Sequence, residues 1–91
     1  MQYEIQRTSQ FKKDFKLAKK RGLDLSKLRY VIETLANGEK LPREYREHPL
    51  KGDFYGCLEC HIEPDWLLIY RIEDELMILS LQRTGSHSDL F

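Results

Sequence analysis

Residues 66–72 read WLLIYRI, a run in which Arg71 is the only charged residue and every other residue is hydrophobic. A strand with one solvent-facing side alternates apolar and polar residues, whereas a strand covered on both sides is apolar almost throughout. The run therefore predicts a central strand of a sheet, buried on both faces.

The neighbouring segments predict the rest of that sheet. Strands are expected at about Tyr55–Ile62 and at 75–84, and each is joined to residues 66–72 by a link of about three residues. Such short links favour an antiparallel meander. Residues 3–8, YEIQRT, alternate in the manner of a fourth strand. Residues 39–56 are predicted to form a loop, and residues 85–91 a terminal turn.

Two helices are predicted over residues 8–22 and 24–38. Thr8 or Ser9 can cap the first helix and Asp24 the second, while a glycine follows each helix at its C-terminal end. Apolar residues recur at three- and four-residue steps in both segments: Phe11, Phe15 and Ala18, then Leu25, Leu28, Ile32 and Leu35. The short gap between the helices favours an antiparallel pair. The expected fold is α+β, with the order β-α-α-β-β-β and the two-helix hairpin packed on one face of an antiparallel sheet.

Composition limits the class of protein. A chain of 91 residues with 41% hydrophobic and 33% charged residues is typical of one globular domain, here residues 1–91, and not of a disordered chain. No stretch approaches the roughly 18 consecutive apolar residues of a membrane helix, and the first residues lack the apolar core of a signal peptide. We therefore expect a cytoplasmic protein with no membrane contact and with reduced cysteines.

Charge is unevenly distributed along the chain. Residues 1–45 contain eleven basic and six acidic residues, whereas residues 46–91 contain four basic and nine acidic residues. The densest basic run is FKKDFKLAKKRG at 11–22, which includes Lys12, Lys13, Lys16, Lys19 and Lys20. Such a run can bind phosphates or an acidic protein, and it can equally be the solvated face of a helix.

Residues 57–61, CLECH, have the C-x-x-C-H spacing of haem attachment. Alternate strand residues face opposite sides, so Cys57 and Cys60 should diverge and cannot share a haem or a metal. The sequence also lacks a second C-x-x-C or an H-x-x-x-H that would complete a zinc site. Cys57, Glu59 and His61 should share the exposed face of the strand. We expect no metal and no cofactor.

Histidines dominate the candidate catalytic residues. His48, His61 and His87 all lie in the second half of the chain, together with Asp65 and Arg83. Cleavage of RNA by its own 2′-hydroxyl needs a base, an acid and a cation near the developing phosphorane charge. These residue types could supply all three without a metal.

Each candidate also has an ordinary structural interpretation. The histidines could be loop, strand and tail residues, Asp65 a turn residue, and Trp66 part of the core. Arg83 could pair with Asp65. Simple alternation places Arg83 on the same face as Leu79 and Leu81, so only strand twist or a bulge would direct it to an exposed site.

Residues 48–72, HPLKGDFYGCLECHIEPDWLLIYRI, followed by LQRTGSHSDLF at 81–91, closely resemble the YafQ-type toxins of the RelE/ParE superfamily. The pieces H-x-L-x-G, H-x-x-P-D-W and R-T-G-x-H-x-x-L-F occur in the family's order and spacing, and the resemblance covers nearly the whole chain. It implies a RelE-like fold and a bacterial type II toxin that cleaves mRNA on the translating ribosome. It also implies a cognate antitoxin that neutralises the toxin, with operator DNA bound only indirectly through the antitoxin complex.

The family pattern assigns functional positions to His48, His61, Asp65, Trp66, Arg83, His87 and Phe91. The resemblance implies that His61 and His87 are the acid–base pair, that His48 is a third contributor, and that Asp65 orients a histidine or moves a proton. Arg83 would stabilise the phosphate, while Trp66 and Phe91 would stack on or enclose an mRNA base. The five lysines would contact ribosomal RNA. Two alternatives remain: a ParE-like toxin that poisons gyrase by binding, and a non-enzymatic binding domain that keeps only the fold.

Overall fold

The computed structural model of the chain describes residues 2–91 and contains a five-stranded sheet in the order β1-β5-β4-β3-β2. The strands are β1 Glu4–Arg7, β2 His48–Pro49, β3 Leu58–Glu63, β4 Trp66–Glu73 and β5 Ile78–Gly85. Strand β4 lies at the centre, and its residues from Trp66 to Tyr70 are all buried. The prediction of a central strand covered on both faces is confirmed.

The sheet differs from a simple meander at its two edges. Strands β3, β4 and β5 are antiparallel as predicted, but β1 pairs in parallel with β5, with Glu4 opposite Ile78. Strand β2 falls within the predicted loop and comprises two residues, so it has no alternating pattern to detect. Its Pro49 is tolerated because an edge strand need not donate every backbone hydrogen bond.

Helices α1 (Ser9–Lys20) and α2 (Leu25–Ala36) pack on one face of the sheet, as predicted. The Thr8 hydroxyl accepts a hydrogen bond from the Phe11 backbone, and the Asp24 carboxylate accepts one from the Ser26 backbone, so both predicted caps are present. The main core between the helices and the sheet includes Phe11, Ala18, Leu28, Val31, Leu35, Leu68, Tyr70, Leu79 and Leu81. Within residues 2–91, no helix has the length and apolar character needed to cross a lipid bilayer.

The opposite face of the sheet is also covered. A short helix, α3 (His87–Leu90), replaces the predicted terminal turn, and its first turn is closed by reciprocal hydrogen bonds between Ser86 and Asp89. Leu90 is buried in a second, smaller core with Cys57, Leu67 and Ile69. A four-residue helix is too short to show helical periodicity, which is why the sequence did not predict it.

The two cysteines lie on opposite faces, as predicted: Cys60 belongs to the main core and Cys57 to the second. Burial raises the pKa of the Cys60 thiol to about 12 and also raises the pKa of the Cys57 thiol. We therefore expect neither thiol to react rapidly with a thiol-specific reagent near neutral pH, because the thiolate is the reactive form. Both should react at once in guanidinium chloride, and rapid reaction of the folded protein would contradict this assignment.

Candidate active site

The three histidines converge from three different elements, which spacing along the sequence could not establish. His48 lies on β2, His61 on β3, and His87 is the first residue of α3. The ring centroid of His61 is 6.1 Å from that of His48 and 5.8 Å from that of His87. His61 is therefore the middle member of a contiguous histidine cluster.

Sheet register explains this convergence. His48 pairs with Glu59 across β2 and β3, and Glu59 precedes His61 by two positions, so both side chains of β3 point to the same face. His61 pairs with Leu67, which in turn pairs with Gly85 at the end of β5. The chain turns into α3 immediately after Gly85, and this turn brings His87 beside His61.

Glu59 joins two of the histidines. Its Oε1 atom is 3.2 Å from His48 Nε2 and 3.9 Å from His61 Nε2. The prediction that this face is exposed was wrong for Glu59, whose side chain is only 6% exposed, and for Cys57, which is buried in the second core. The His61 side chain is 15% exposed. The second core and the β2 edge cover this part of the face. Strand alternation predicts that Glu59 shares a face with His61, but Glu59 was not among the predicted site residues.

Asp65 orients His87. Its Oδ1 accepts a hydrogen bond from the His87 backbone amide at 2.9 Å and lies 2.6 Å from the His87 Nδ1. Both interactions lower the pKa of the Asp65 carboxyl, and the hydrogen bond from the His87 backbone has the larger effect. Because the carboxylate accepts the proton on Nδ1, the Nε2 atom of His87 is left to exchange a proton with a substrate.

A bulge in β5 determines the face of the sheet on which Arg83 lies. Pairing with β4 shifts from Leu81 opposite Tyr70 to Arg83 opposite Ile69, so Gln82 is the extra residue. Tyr70 belongs to the main core and Ile69 to the second, and the bulge therefore releases Arg83 from the face of Leu79 and Leu81. The sequence identified this requirement but could not show that a bulge was present.

The partner of Arg83 is Asp14 of α1 and not Asp65, which the sequence allowed as a partner. Arg83 Nε donates to Asp14 Oδ2 at 2.7 Å, and Arg83 Nη2 donates to Asp14 Oδ1 at 3.3 Å. The hydrogen bond to Asp14 raises the pKa of Arg83. Asp14 also accepts from the Thr84 backbone amide and from Gln10, so α1 fixes the end of β5 as well as Arg83.

Asp14 was missed as a site residue, although the sequence contains a signal for it. It is the one acidic residue in the basic run at 11–22, and it lies three residues after Phe11 and four before Ala18. That spacing places a carboxylate on the buried stripe of α1, where a charge requires a partner.

The two aromatic candidates have different environments. Trp66 is 2% exposed, and its indole Nε1 donates to the Thr84 hydroxyl at 3.0 Å, so it offers no open ring face for stacking. Trp66 forms part of the wall of a groove that Asp65 and Arg83 also line. Phe91 is 65% exposed, and its ring meets that of Phe54 edge-on with the centroids 5.7 Å apart. The Phe91 ring is therefore accessible for stacking on a nucleobase.

The basic face of α1 adjoins this region. The five lysines of α1 are all exposed, while Phe11, Asp14 and Ala18 on the other side of the helix are buried. None of these lysines forms an ion pair within residues 2–91, the part of the chain that the structure describes. Their charges are therefore available to an anionic partner.

Comparison with known proteins identifies the family. The family model for YafQ, a bacterial toxin of type II toxin-antitoxin systems, matches residues 3–91. The mRNA interferase toxin YafQ of Escherichia coli K12 is 45% identical over 92 residues, covering 100% of this chain and 98% of that protein. The prediction of an endoribonuclease agrees with the activity in that relative's name.

Solved structures are similar over the whole length. YafQ in the E. coli DinJ-YafQ toxin-antitoxin complex has a TM-score of 0.89 and 43% identity, covering 100% of this chain and 99% of that chain. A metal-bound toxin from Helicobacter pylori has a TM-score of 0.91 and 43% identity, covering 100% of both chains. The predicted RelE-like α+β fold is confirmed, and the chain belongs to the YafQ family of type II toxin-antitoxin toxins.

Proposed function

We propose that this protein is a ribosome-dependent endoribonuclease that cleaves translated mRNA and so inhibits translation. The observation that carries the proposal is the contiguous cluster of His48, His61 and His87, with ring centroids about 6 Å apart and with Asp65 holding His87. A protein that acts only by binding has no need of three titratable rings in one place. General acid–base chemistry near neutral pH does need them.

In the proposed reaction, the 2′-oxygen of the mRNA attacks the adjacent phosphorus while the bond from phosphorus to the 5′-oxygen breaks. One histidine takes the proton of the 2′-hydroxyl, and a second histidine gives a proton to the departing 5′-oxygen. His61 and His87 are the candidates for this pair because their rings are neighbours, and His48 contributes from the other side of His61. Because Asp65 contacts His87 through Nδ1, the Nε2 atom points away from the Asp65 carboxylate.

Charge stabilisation is assigned to Arg83. A guanidinium can donate to two phosphate oxygens, and Asp14 uses only its Nε and Nη2 atoms, so Nη1 remains for the phosphorane. The histidines and Arg83 together provide the base, the acid and the cation. The proposed reaction therefore requires no metal ion or other cofactor.

The ribosome would provide the positioning of the mRNA that the isolated site lacks. Phe91 is exposed and can stack on a base, whereas Trp66 supports the groove from within the core. The five lysines of α1 would bind ribosomal RNA phosphates, which give affinity and orientation without sequence information. Because the ribosome would hold the mRNA in place, activity on free RNA should be weak.

The lysine surface can be tested by charge reversal. We expect Lys12→Glu combined with Lys16→Glu to weaken binding to ribosomes and to lower its dependence on salt, since each lost phosphate contact removes roughly 0.7–0.9 from the salt slope. Binding should be measured at several salt concentrations. The matched control is Lys40→Glu with Arg43→Glu, which reverses two exposed charges elsewhere and should bind more tightly than the lysine variant. Equal binding by the two variants would exclude α1 as the ribosome-contacting surface.

A cognate antitoxin is the second proposed partner. The E. coli relative was solved in complex with DinJ, and the similarity over the full chain supports an equivalent antitoxin here. We infer that operator DNA is bound only through the antitoxin in such a complex. The proposed site of action is the cytoplasm, where translating ribosomes are found.

Two assays separate this proposal from a gyrase poison. The wild-type protein should stop reporter synthesis in a reconstituted translation mixture while the full-length reporter mRNA disappears. It should leave the supercoiling activity of purified gyrase unchanged. Loss of supercoiling with intact mRNA would instead support the ParE-like alternative.

A further inference from the structure

An ion pair between Arg21 and Asp89 joins the C-terminal end of α1 to α3. Arg21 Nη1 donates to Asp89 Oδ2 at 2.7 Å, and Arg21 Nη2 donates to Asp89 Oδ1 at 3.4 Å. We propose that Arg21 and Asp89 are positioning residues for His87, because together they hold the first turn of the helix that carries it. Their effect on cleavage rests on the proposed nuclease function, whereas their effect on the His87 ring does not.

Asp89 links Arg21 to the residue that directly precedes His87. Its Oδ2 atom, which accepts from Arg21, also accepts a hydrogen bond from the Ser86 backbone amide at 3.0 Å. In return, the Asp89 backbone amide donates to the Ser86 hydroxyl at 3.1 Å. One carboxylate therefore contacts both α1 and the start of α3. A displacement of this carboxylate would reach His87 through a single peptide unit.

The charge of Asp89 is fixed by the same contacts. The hydrogen bond from Arg21 holds the pKa of the Asp89 carboxyl well below its usual range, and the hydrogen bond from the Ser86 backbone lowers it further. Asp89 is consequently ionised at neutral pH. The guanidinium of Arg21 is also always charged there, so the pair persists under the conditions of translation.

The surroundings of Asp89 make this pair stronger than an ordinary surface ion pair. Exposed pairs contribute little partly because ordering two mobile side chains costs entropy. Here the Asp89 side chain is 26% exposed and is already held by Ser86. A Cβ atom at Gly85 would lie only 3.0 Å from Asp89 Cβ, so the end of β5 also confines this side chain. Only Arg21, whose side chain is 47% exposed, remains to be ordered.

The other restraints on α3 leave a role for this pair. The side chains of Asp65 and His87 are 68% and 55% exposed, so water competes for the hydrogen bond between them. Leu90 is buried in the second core, but it anchors the far end of α3. The contact between Arg21 and Asp89 adds a restraint at the first turn and ties that turn to α1.

Helix α1 would then position two parts of the proposed site at once. It holds Arg83 through Asp14, and it holds His87 through Arg21 and Asp89. Arg21, Asp89 and Arg83 line one groove of about 430 Å³ between α1 and α3. Because cleavage depends on the relative placement of the acid–base group and the cation, a loosened α3 should slow the chemical step.

Nitrogen NMR of the histidine rings tests the positioning without ribosomes or RNA. Asp65 favours a proton on His87 Nδ1. In Arg21→Ala and Asp89→Asn, the His87 ring signals should shift toward the tautomer mixture of a free imidazole. Asp89→Asn keeps an acceptor for Ser86 but binds a guanidinium less strongly. The His48 signals serve as the reference and should not move. Unchanged His87 signals in both variants would overturn the proposal.

A second arm measures kcat and KM with ribosomes present, well below the melting temperature of each variant. We expect kcat to fall by about three- to tenfold in Arg21→Ala, with part of the loss restored in Arg21→Lys. Asp89→Asn should lower kcat with KM unchanged, because it keeps every cation of the basic run at 11–22. The double variant should lose no more than Arg21→Ala, since both residues act through one contact.

Arg29→Ala is the matched control, because it removes an exposed guanidinium from α2 and should cleave like the wild type. An equal loss of kcat in this control would overturn the positioning role, as would a lower kcat in Arg21→Ala without a shift of the His87 signals. Wild-type kcat in a variant whose signals have shifted would overturn the effect on cleavage. No cleavage by the wild-type protein would instead refute the nuclease function, and the NMR result would still decide the effect on the ring.

Discussion

His87→Ala is expected to lower ribosome-dependent mRNA cleavage by about 10²–10⁴-fold, the usual contribution of one acid–base group. In the proposed mechanism, Asp65 fixes the proton on His87 Nδ1, and Nε2 acts on the substrate. The variant should fold normally because His87 is exposed, while the Ser86–Asp89 cap and buried Leu90 hold α3 in place. The measurement is the initial rate of cleavage at saturating ribosomes.

Ser88→Ala is the matched control for this result. It removes another exposed side chain from the same short helix and should cleave at close to the wild-type rate. The cleavage rate of Asp65→Asn should lie between those of His87→Ala and Ser88→Ala. A neutral amide can still accept a hydrogen bond from the His87 backbone, but it no longer stabilises a charged ring. Full cleavage by His87→Ala would remove this residue from the mechanism.

Arg83→Ala is expected to lower cleavage by about 10²–10³-fold, comparable to the loss of one preorganised charge-stabilising donor. It should also destabilise the fold by about 1–3 kcal/mol, because the buried Asp14 carboxylate loses its cationic partner. Cleavage must therefore be measured well below the melting temperature of the variant. Arg83→Lys should restore part of the activity, since an ammonium keeps the charge but not the planar fork.

Asp14→Asn separates the proposed role of Arg83 in cleavage from its structural role as the partner of Asp14. This change keeps the guanidinium and its charge, and the amide oxygen can still accept from the Thr84 backbone. We expect it to lose stability but to cleave faster than Arg83→Ala when both are fully folded. If folded Arg83→Ala cleaved like the wild type, Arg83 would be only a structural partner of Asp14.

The sequence predicted the features that depend on regular patterns. The apolar run at 66–72 identified the central strand, the three- and four-residue steps identified both helices, and alternation separated Cys57 from Cys60. Each of these patterns reflects a periodicity of side-chain direction that the backbone imposes. For this reason they could be inferred without coordinates.

Features that depend on a single residue or on distant pairing could not be predicted. One extra residue at Gln82 reverses the face of Arg83, and no local pattern reveals a bulge. The ion pair between Asp14 and Arg83 joins residues 69 positions apart. Glu59 became a site residue only when β2, a two-residue strand without periodicity, placed His48 opposite it.

The most direct test of the proposed nuclease function is primer extension on a defined mRNA in a reconstituted translation system, with and without ribosomes. The free-RNA arm contains EDTA, and the His87→Ala variant is run beside the wild type in both arms. We expect discrete cuts with wild-type protein and ribosomes, few or none on free RNA, and strongly reduced cuts with the variant. Equal cutting of free RNA would contradict ribosome dependence, and no cutting by folded wild-type protein would contradict the nuclease itself.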